Sequence, residues 1–480
     1  AHLERVEPTA PPILRPTARR GMLERTKAQP RTKPNSWCQT CHPSTACPAW
    51  PLEAPGDTST ASLSLSPEVD TLIRQRVAVL LADMQDVISP HAIDSLVQIP
   101  SVRSKCVLLR AAHGRLLLDF LDSGYDRRNF TIASCFPSRK ENYIRSRLHV
   151  ALRLIMRTLR RSPGMPDFEV ALCPDDCPPA MGSAAGRRPA LTSVTCEAHR
   201  TFPFVSWIVN TERATDLSEW DQFSRDLWEP RTAWQSRQPK AVFRGHLRTY
   251  SYCGGWPQVY PRYREDITPA TWRHLGRAAI WGQRVQHPDL LDANFGNHEP
   301  MATLWKLNRT EAAAVNEPVV LTMAEQAQRF RFLIHAEGIC GSSDRLKQSY
   351  GAPMLLLKQA APCYEWFEPF FRAWAHHVPI DGNFSNLSAA VQWAQSHDRE
   401  AQAMVAAANE RIAQVVSVAA LYVYSEQLLL GYATAFSRAA HNSGGPHTSG
   451  STRNFAHEFV CEYSSITTCA LRPHTHTPKH

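Results

Sequence analysis

Apolar residues recur along this chain in two rhythms. Between Ser66 and Gln98 the spacing of Leu72, Ile73, Val77, Leu80, Leu81, Met84 and Val87 predicts helix. Lys105–Arg110 and Gly114–Asp119 read as two short strands around a turn. Arg139–Arg161 predicts a longer helix, with Ile144, Leu148, Ala151, Leu152, Ile155 and Leu159 on one face. Arg145, Arg153, Arg157 and Arg160 fall largely off that face, where a solvated basic surface is expected. Ser162-Pro163-Gly164 stops the helix. Phe168–Leu172 and Lys240–His246 read as strands, and Trp272–Ala293 as helix passing into a strand near Leu290. Leu387–His397 is expected to be helical, as is Arg399–Phe436 in one or two pieces.

The most informative stretch runs from Gln328 to Asn386. A β-prone run, Phe330–His335, leads into the small-residue turn Gly338-Ile339-Cys340-Gly341-Ser342-Ser343. Asp344-Arg345-Leu346-Lys347 then starts a helix, and Met354–Leu357 forms the next strand. Strand, tight turn, helix, strand is the repeating unit of a doubly wound sheet. A Ser-rich turn at a helix N-terminus, with an Arg beside it, suits a phosphate. Lys240–His246 ends in Arg244-Gly245, where Gly lets a ligand approach the backbone and Arg offers a planar fork.

Composition adds boundaries. The chain has 480 residues, 43% of them hydrophobic, which allows two or three domains with a sizeable core. The formal net charge of +9 is unevenly spread, with eight Lys/Arg and three Asp/Glu before Ser36. Residues 1–66 are basic and Pro-rich and are expected to be disordered. They carry no aromatic interleaving, so no nucleic-acid partner is expected. Residues 437–480, rich in Ser, Thr, His and Gly, are also expected to be a disordered tail. Residues 412–435 are apolar but interrupted by Gln414, Ser425, Glu426 and Gln427, which favours a buried amphipathic helix over a membrane span. Trp37-Cys38-Gln39-Thr40-Cys41-His42 has the spacing of a haem attachment site without a surrounding helical core, and a local disulfide or plain cysteines are the expectation. Thirteen cysteines and sequons at Asn129, Asn308, Asn383 and Asn386 mildly favour the secretory pathway, but the pairing is unreadable.

Asp175 and Asp176 follow the strand at Phe168–Leu172, at the end where open α/β sheets place ligands. They serve either as a base or as a turn before Pro178. They are not an Asp-x-Asp metal pair, so no metal is implied. Trp207, Trp220 and Trp228 either line a groove or belong to the core. Dinucleotide, P-loop, zinc-protease and α/β-hydrolase motifs do not occur in the sequence.

Several pieces together resemble one family, the capsule-associated and protein O-glucosyltransferase (Rumi-like) enzymes of glycosyltransferase family ninety. They are Ser343-Asp344-Arg345-Leu346-Lys347, Glu365-Trp366-Phe367, Trp374–Ile380 with Phe384–Leu387, Trp234 through Phe243-Arg244-Gly245, Pro288–Ala293, and the segment ending Asp176-Cys177-Pro178. The resemblance covers roughly residues 140–435. It implies an α/β GT-B architecture of two Rossmann-like domains with a cleft between them, here 67–230 on the acceptor side and 231–436 on the donor side. It also implies a UDP-sugar co-substrate, no other cofactor, no metal and inversion at the anomeric carbon. Carried over by position, Asp176 is the base. Arg244, Gly245, His246, Arg277, Ile339, Cys340, Gly341, Ser342, Ser343, Asp344 and Arg345 bind the donor, with Arg262 and Arg264 as alternatives to Arg277. The implied reaction moves glucose or xylose to a protein or glycan acceptor in the endoplasmic reticulum or Golgi lumen, with a possible membrane anchor outside the given sequence. The competing reading is a non-catalytic sugar- or polypeptide-binding descendant.

Overall fold

The computed structural model describes residues 65–122, 139–174, 186–197, 199–204, 232–246, 268, 270–296, 321–338, 344–443, 455, 457–461 and 469–473. The chain segment 1–64, with its C-x-x-C-H motif, lies outside them, as do Trp207, Trp220, Trp228, Arg262 and Arg264.

Helix α1 (Pro67–Met84) starts where the Ser66 hydroxyl accepts from the Val69 N–H and Pro67 occupies the first turn. Ser89 caps α2 (Pro90–Leu96) in the same way, so the apolar pattern of 66–98 is cut at Ser89-Pro90. Helix α3 (Pro100–Lys105) delivers the chain into β1 (Val107–Ala112). Its partner β2 (Arg115–Asp119) follows a two-residue turn in which His113 and Gly114 both have positive φ, 52° and 73°. That geometry matches the twist of a hairpin.

Helix α4 (Arg139–Arg161) leads to β3 (Phe168–Cys173), β4 (Gly186–Thr192), β5 (Thr195–Cys196) and β6 (His199–Pro203). Then come β7 (Gln238–His246), α5 (Ala278–Gln286), β8 (Leu291–Gly296), α6 (Met323–Arg329) and β9 (Phe330–His335). Thr322 and Glu325 close a reciprocal capping box on α6. Helix α7 (Asp344–Gly351), β10 (Leu355–Gln359), β11 (Cys363–Tyr364) and β12 (Val378–Ile380) complete the strand–helix run. Helices α8 (Leu387–Ser396), α9 (Asp398–Val415) and α10 (Val418–Asn442) follow, and the hairpin β13 (His457–Cys461) with β14 (Cys469–Pro473) comes last.

The strands form two sheets. The larger has nine strands in the order β11-β5-β6-β4-β3-β1-β2-β13-β14. Only β3–β4 and β4–β6 pair in parallel, so this sheet is mixed rather than wholly of the doubly wound kind. The β1–β2 hairpin makes that pair antiparallel, and β1–β3, β5–β6, β11–β5, β13–β2 and β13–β14 are antiparallel as well. The chain end, expected to be a disordered tail, contributes β13 and β14, and β13 pairs with β2 through Phe459 and Leu116. The added hairpin covers a strand edge that would otherwise present unpaired backbone groups. Helix α10 likewise continues past Phe436 to Asn442.

The smaller sheet has five strands, β12-β10-β9-β7-β8, and every neighbouring pair is parallel. Taken in chain order from β7 this is 2-1-3-4-5, a doubly wound order whose switch point falls between β7 and β9. Alternation along β7 serves two cores. Val242 packs with the core that also takes α1, α4 and α10, whereas Ala241 and Phe243 face the one formed with α5 and α8.

Arg153 and Arg157 depart from the expected solvated face. Both are buried, and Arg157 lies 3.5 Å over the Tyr422 ring, because α10 packs against this side of α4. Burial pushes the Arg153 guanidinium down to about 10. Arg160 is exposed, as expected. No single helix among the described residues is long and apolar enough to cross a membrane, although α9 and α10, bent by 62° at Val416-Ser417, meet that test together. Leu421, Tyr424, Leu428, Leu429 and Tyr432 of α10 are buried within the core.

Two disulfides tie described residues: Cys106–Cys173, and Cys196–Cys363 between β5 and β11.

Candidate active site at the strand switch point

In open α/β sheets ligands bind beyond the carboxyl ends of the strands where the winding reverses. Here that place is built from the ends of β7 and β9 and the start of α7. Strand β7 ends in Phe243-Arg244-Gly245-His246, paired to Ala293, Asn294, Phe295 and Gly296 of β8. The Arg244 guanidinium is 8% exposed. Its Nη1 donates to the Phe243 and Asp292 carbonyls, each at 2.9 Å, and its Nη2 to Asp292 Oδ1 at 2.8 Å. Asp292 thus fixes the arginine across the strand pair.

Arg345 reaches back from the first turn of α7, and its Nη1 donates to the Arg244 carbonyl. Its guanidinium carbon sits 5.4 Å from the Phe243 ring centre. Gly245 permits this approach. A Cβ there would stand 2.9 Å from Phe243 Cζ and 3.3 Å from Arg345 Nη1. Arg277 immediately precedes α5. Its Nε and Nη2 donate to the Glu337 carbonyl at 3.0 and 2.6 Å, Nη2 to Ala336 O at 3.3 Å, and Nη1 to His246 O at 3.4 Å.

Three guanidinium groups therefore converge at the switch point. Burial, and then the charges of Arg277 and Arg244, push Arg345 down to about 10, so it stays cationic at neutral pH. Among the described residues, the buried Nε atoms of Arg244 and Arg345 have no hydrogen-bond partner. A compact cluster of cations with unmatched donors is complementary to an oxyanion.

Of the donor-side positions expected from sequence, Arg244, Gly245, His246, Arg277 and Arg345 are brought together. Asp344 opens α7, with its backbone described. Ile339, Cys340, Gly341, Ser342 and Ser343 lie outside the described residues, and so does Asp176. Strand β3, which leads toward Asp176, extends to Cys173.

A buried polar network around α7 and β10 was missed by sequence reasoning. Lys347 Nζ meets Glu365 Oε2 at 2.7 Å with both side chains about fully enclosed, 2% and 1% exposed. This pair joins α7 to the segment after β11 and gives two residues of the quoted motifs a structural role. Lys358 on β10 lies 3.2 Å from Glu368 and 3.7 Å from Glu337. Nothing in the local pattern marks these residues, since their partners are distant in sequence. A cavity of about 370 Å³ also borders Arg244, lined among the described residues by Lys240, Arg284, Asp292, Asn294 and Arg329. It extends toward the opposite, amino-terminal ends of the strands, at Gln238 and Phe330.

The fold and the site together define an α/β chain with a concentration of positive charge at the switch point of a parallel sheet. Comparison with known sequences narrows this. Residues 136–445 match the family model for glycosyl transferase family 90, and the chain belongs to that family. It is similar to an O-glucosyltransferase rumi homolog of Anopheles gambiae, 26% identical over 220 residues, covering 45% of this chain and 47% of that one. It is also similar to Protein O-glucosyltransferase 3 of Rattus norvegicus, 37% identical over 79 residues, 16% of each chain. Protein O-glucosyltransferase 1 of Mus musculus is 23% identical over 221 residues, 45% of this chain and 48% of that one. The matches thus span about half the length of these relatives, or less.

Proposed function

We propose that the chain is an inverting glycosyltransferase that moves glucose or xylose from a UDP-sugar to a hydroxyl of a protein or glycan acceptor. The observation that carries this reading is the convergence of Arg244, Arg277 and Arg345 at the switch point of a parallel sheet. A leaving UDP gains negative charge as the glycosidic bond breaks. Fixed guanidinium groups and helix N–H groups supply the countercharge without a metal. On this reading the turn at 339–343 wraps the diphosphate.

An acceptor hydroxyl is too weakly acidic to attack unaided at neutral pH. Asp176, beyond the carboxyl end of β3, takes its proton as the new bond to the anomeric carbon forms. We read the two sheets as the two halves of a GT-B architecture, with the acceptor on the larger, mixed sheet. The disulfides Cys106–Cys173 and Cys196–Cys363 support an oxidising compartment, the endoplasmic reticulum or Golgi lumen.

A thermal-shift screen of nucleotide-sugars tests the reading. Any ligand that binds only the folded state raises the melting temperature. UDP and one or two UDP-sugars are expected to stabilise the protein. Stabilisation by GDP- or CMP-sugars alone would overturn the assignment.

A further inference from the structure

Glu337 lies just past β9, after Ala336, and is buried. Its backbone is held on both sides. The N–H donates to Gln359 Oε1 at 2.8 Å, and the carbonyl accepts from Arg277 Nε and Nη2. Its carboxyl is enclosed, 2% exposed, and among the described residues neither oxygen has a partner within hydrogen-bond distance. Among the described residues, two ionisable nitrogens stand within 4 Å of it, Lys358 Nζ and His335 Nε2, each at 3.7 Å.

These neighbours do not supply a full countercharge. Lys358 lies closer to Glu368, at 3.2 Å, so one ammonium serves two carboxyls. His335 is completely buried, and desolvation holds it well below the ordinary histidine range, hence neutral. Glu368 and Glu365 add negative potential from the segment after β10. Arg277 adds positive potential from the start of α5. On α7, Arg345 faces the neighbouring His335, and the buried phenol of Tyr350 feels the Glu337 charge. The balance favours a carboxyl that keeps its proton, and burial pushes it up to about 8.

We propose that Glu337 is a positioning residue of the anion site. It holds Arg277 through its backbone carbonyl and, as an uncharged acid, keeps a negative charge away from the three arginines that receive the donor diphosphate. This inference rests on the donor reading proposed above. Ionising Glu337 places an anion beside Arg277 and lowers the potential felt by the ligand. By linkage, a bound diphosphate in turn helps Glu337 retain its proton.

The test is calorimetric titration with UDP-glucose from pH 6.5 to 9, in the wild type and in Glu337→Gln. The diphosphate diester keeps a constant charge over that range. The wild-type Kd is expected to rise about threefold to tenfold between pH 7 and 9, the span one titrating carboxyl produces. In Glu337→Gln this rise is lost, while His246 and the arginines are common to both proteins. Lys358→Met provides a second variant and is expected to move the rise to higher pH, since it removes the cation that favours ionisation. Binding of UDP-glucose that is independent of pH in the wild type, or an unchanged rise in Glu337→Gln, overturns the positioning role and leaves the donor reading standing. Failure of UDP-glucose and UDP to bind at any pH overturns both.

Discussion

The guanidinium of Arg345, in the first turn of α7, hydrogen-bonds the backbone carbonyl of Arg244 near the end of β7. Two elements a hundred residues apart in sequence are thereby joined at the point where the parallel sheet reverses its winding. The contact depends on Gly245. Gly245→Ala introduces a Cβ 2.9 Å from the buried Phe243 ring and 3.3 Å from Arg345 Nη1. Overpacking of this kind costs about 1–3 kcal/mol. We expect a lower unfolding midpoint and UDP binding weakened roughly tenfold, the equivalent of about 1.4 kcal/mol. Denaturant titration and calorimetry on the same variant separate the two effects.

The Lys347–Glu365 pair is a structural element, on the evidence of its burial. Removing one partner leaves an uncompensated charge in the interior, at a cost of about 3–5 kcal/mol. Lys347→Met is therefore expected to unfold at clearly lower denaturant concentration than the wild type. Lys347→Met combined with Glu365→Leu removes both charges and is expected to recover most of the loss. A double variant as unstable as the single one would show that packing, rather than charge, sets the cost.

Asp176 carries the chemistry in the proposed mechanism. Asp176→Asn is expected to keep UDP affinity while transfer falls by roughly 10²-fold or more, the scale of a lost general base. Turnover near the wild-type level, measured as product glycan with a competent acceptor, rules Asp176 out as the base.

Much of the smaller sheet was legible in the sequence because its signals are local. Phe330–His335 and Asp344–Lys347 announce a strand and a helix through period and residue type alone. Phe243-Arg244-Gly245 marks its strand end for the same reason. The mixed sheet was not legible, because β13 of the chain end pairs with β2 across more than three hundred residues and no local pattern encodes that partner. Arg153 and Arg157 appeared solvated because helical spacing defines a face but not what packs on it. Glu337, Lys358 and Glu368 come from three separate segments and have meaning as a group only after β9 and β10 are paired. Arg277 entered as a donor-binding position implied by the family resemblance. The structure shows it bonded to the carbonyls of Glu337, Ala336 and His246, a bracing role that its sequence position did not convey.

The central claim is that the arginine cluster receives the diphosphate of a UDP-sugar. Calorimetric titration of UDP into the wild type and Arg345→Ala tests it most directly. The account predicts saturable one-to-one binding to the wild type and a loss of roughly tenfold or more in Arg345→Ala, consistent with a lost charge-assisted hydrogen bond of about 1.5–3 kcal/mol. No UDP binding by the wild type, or equal affinity in the folded variant, would contradict it.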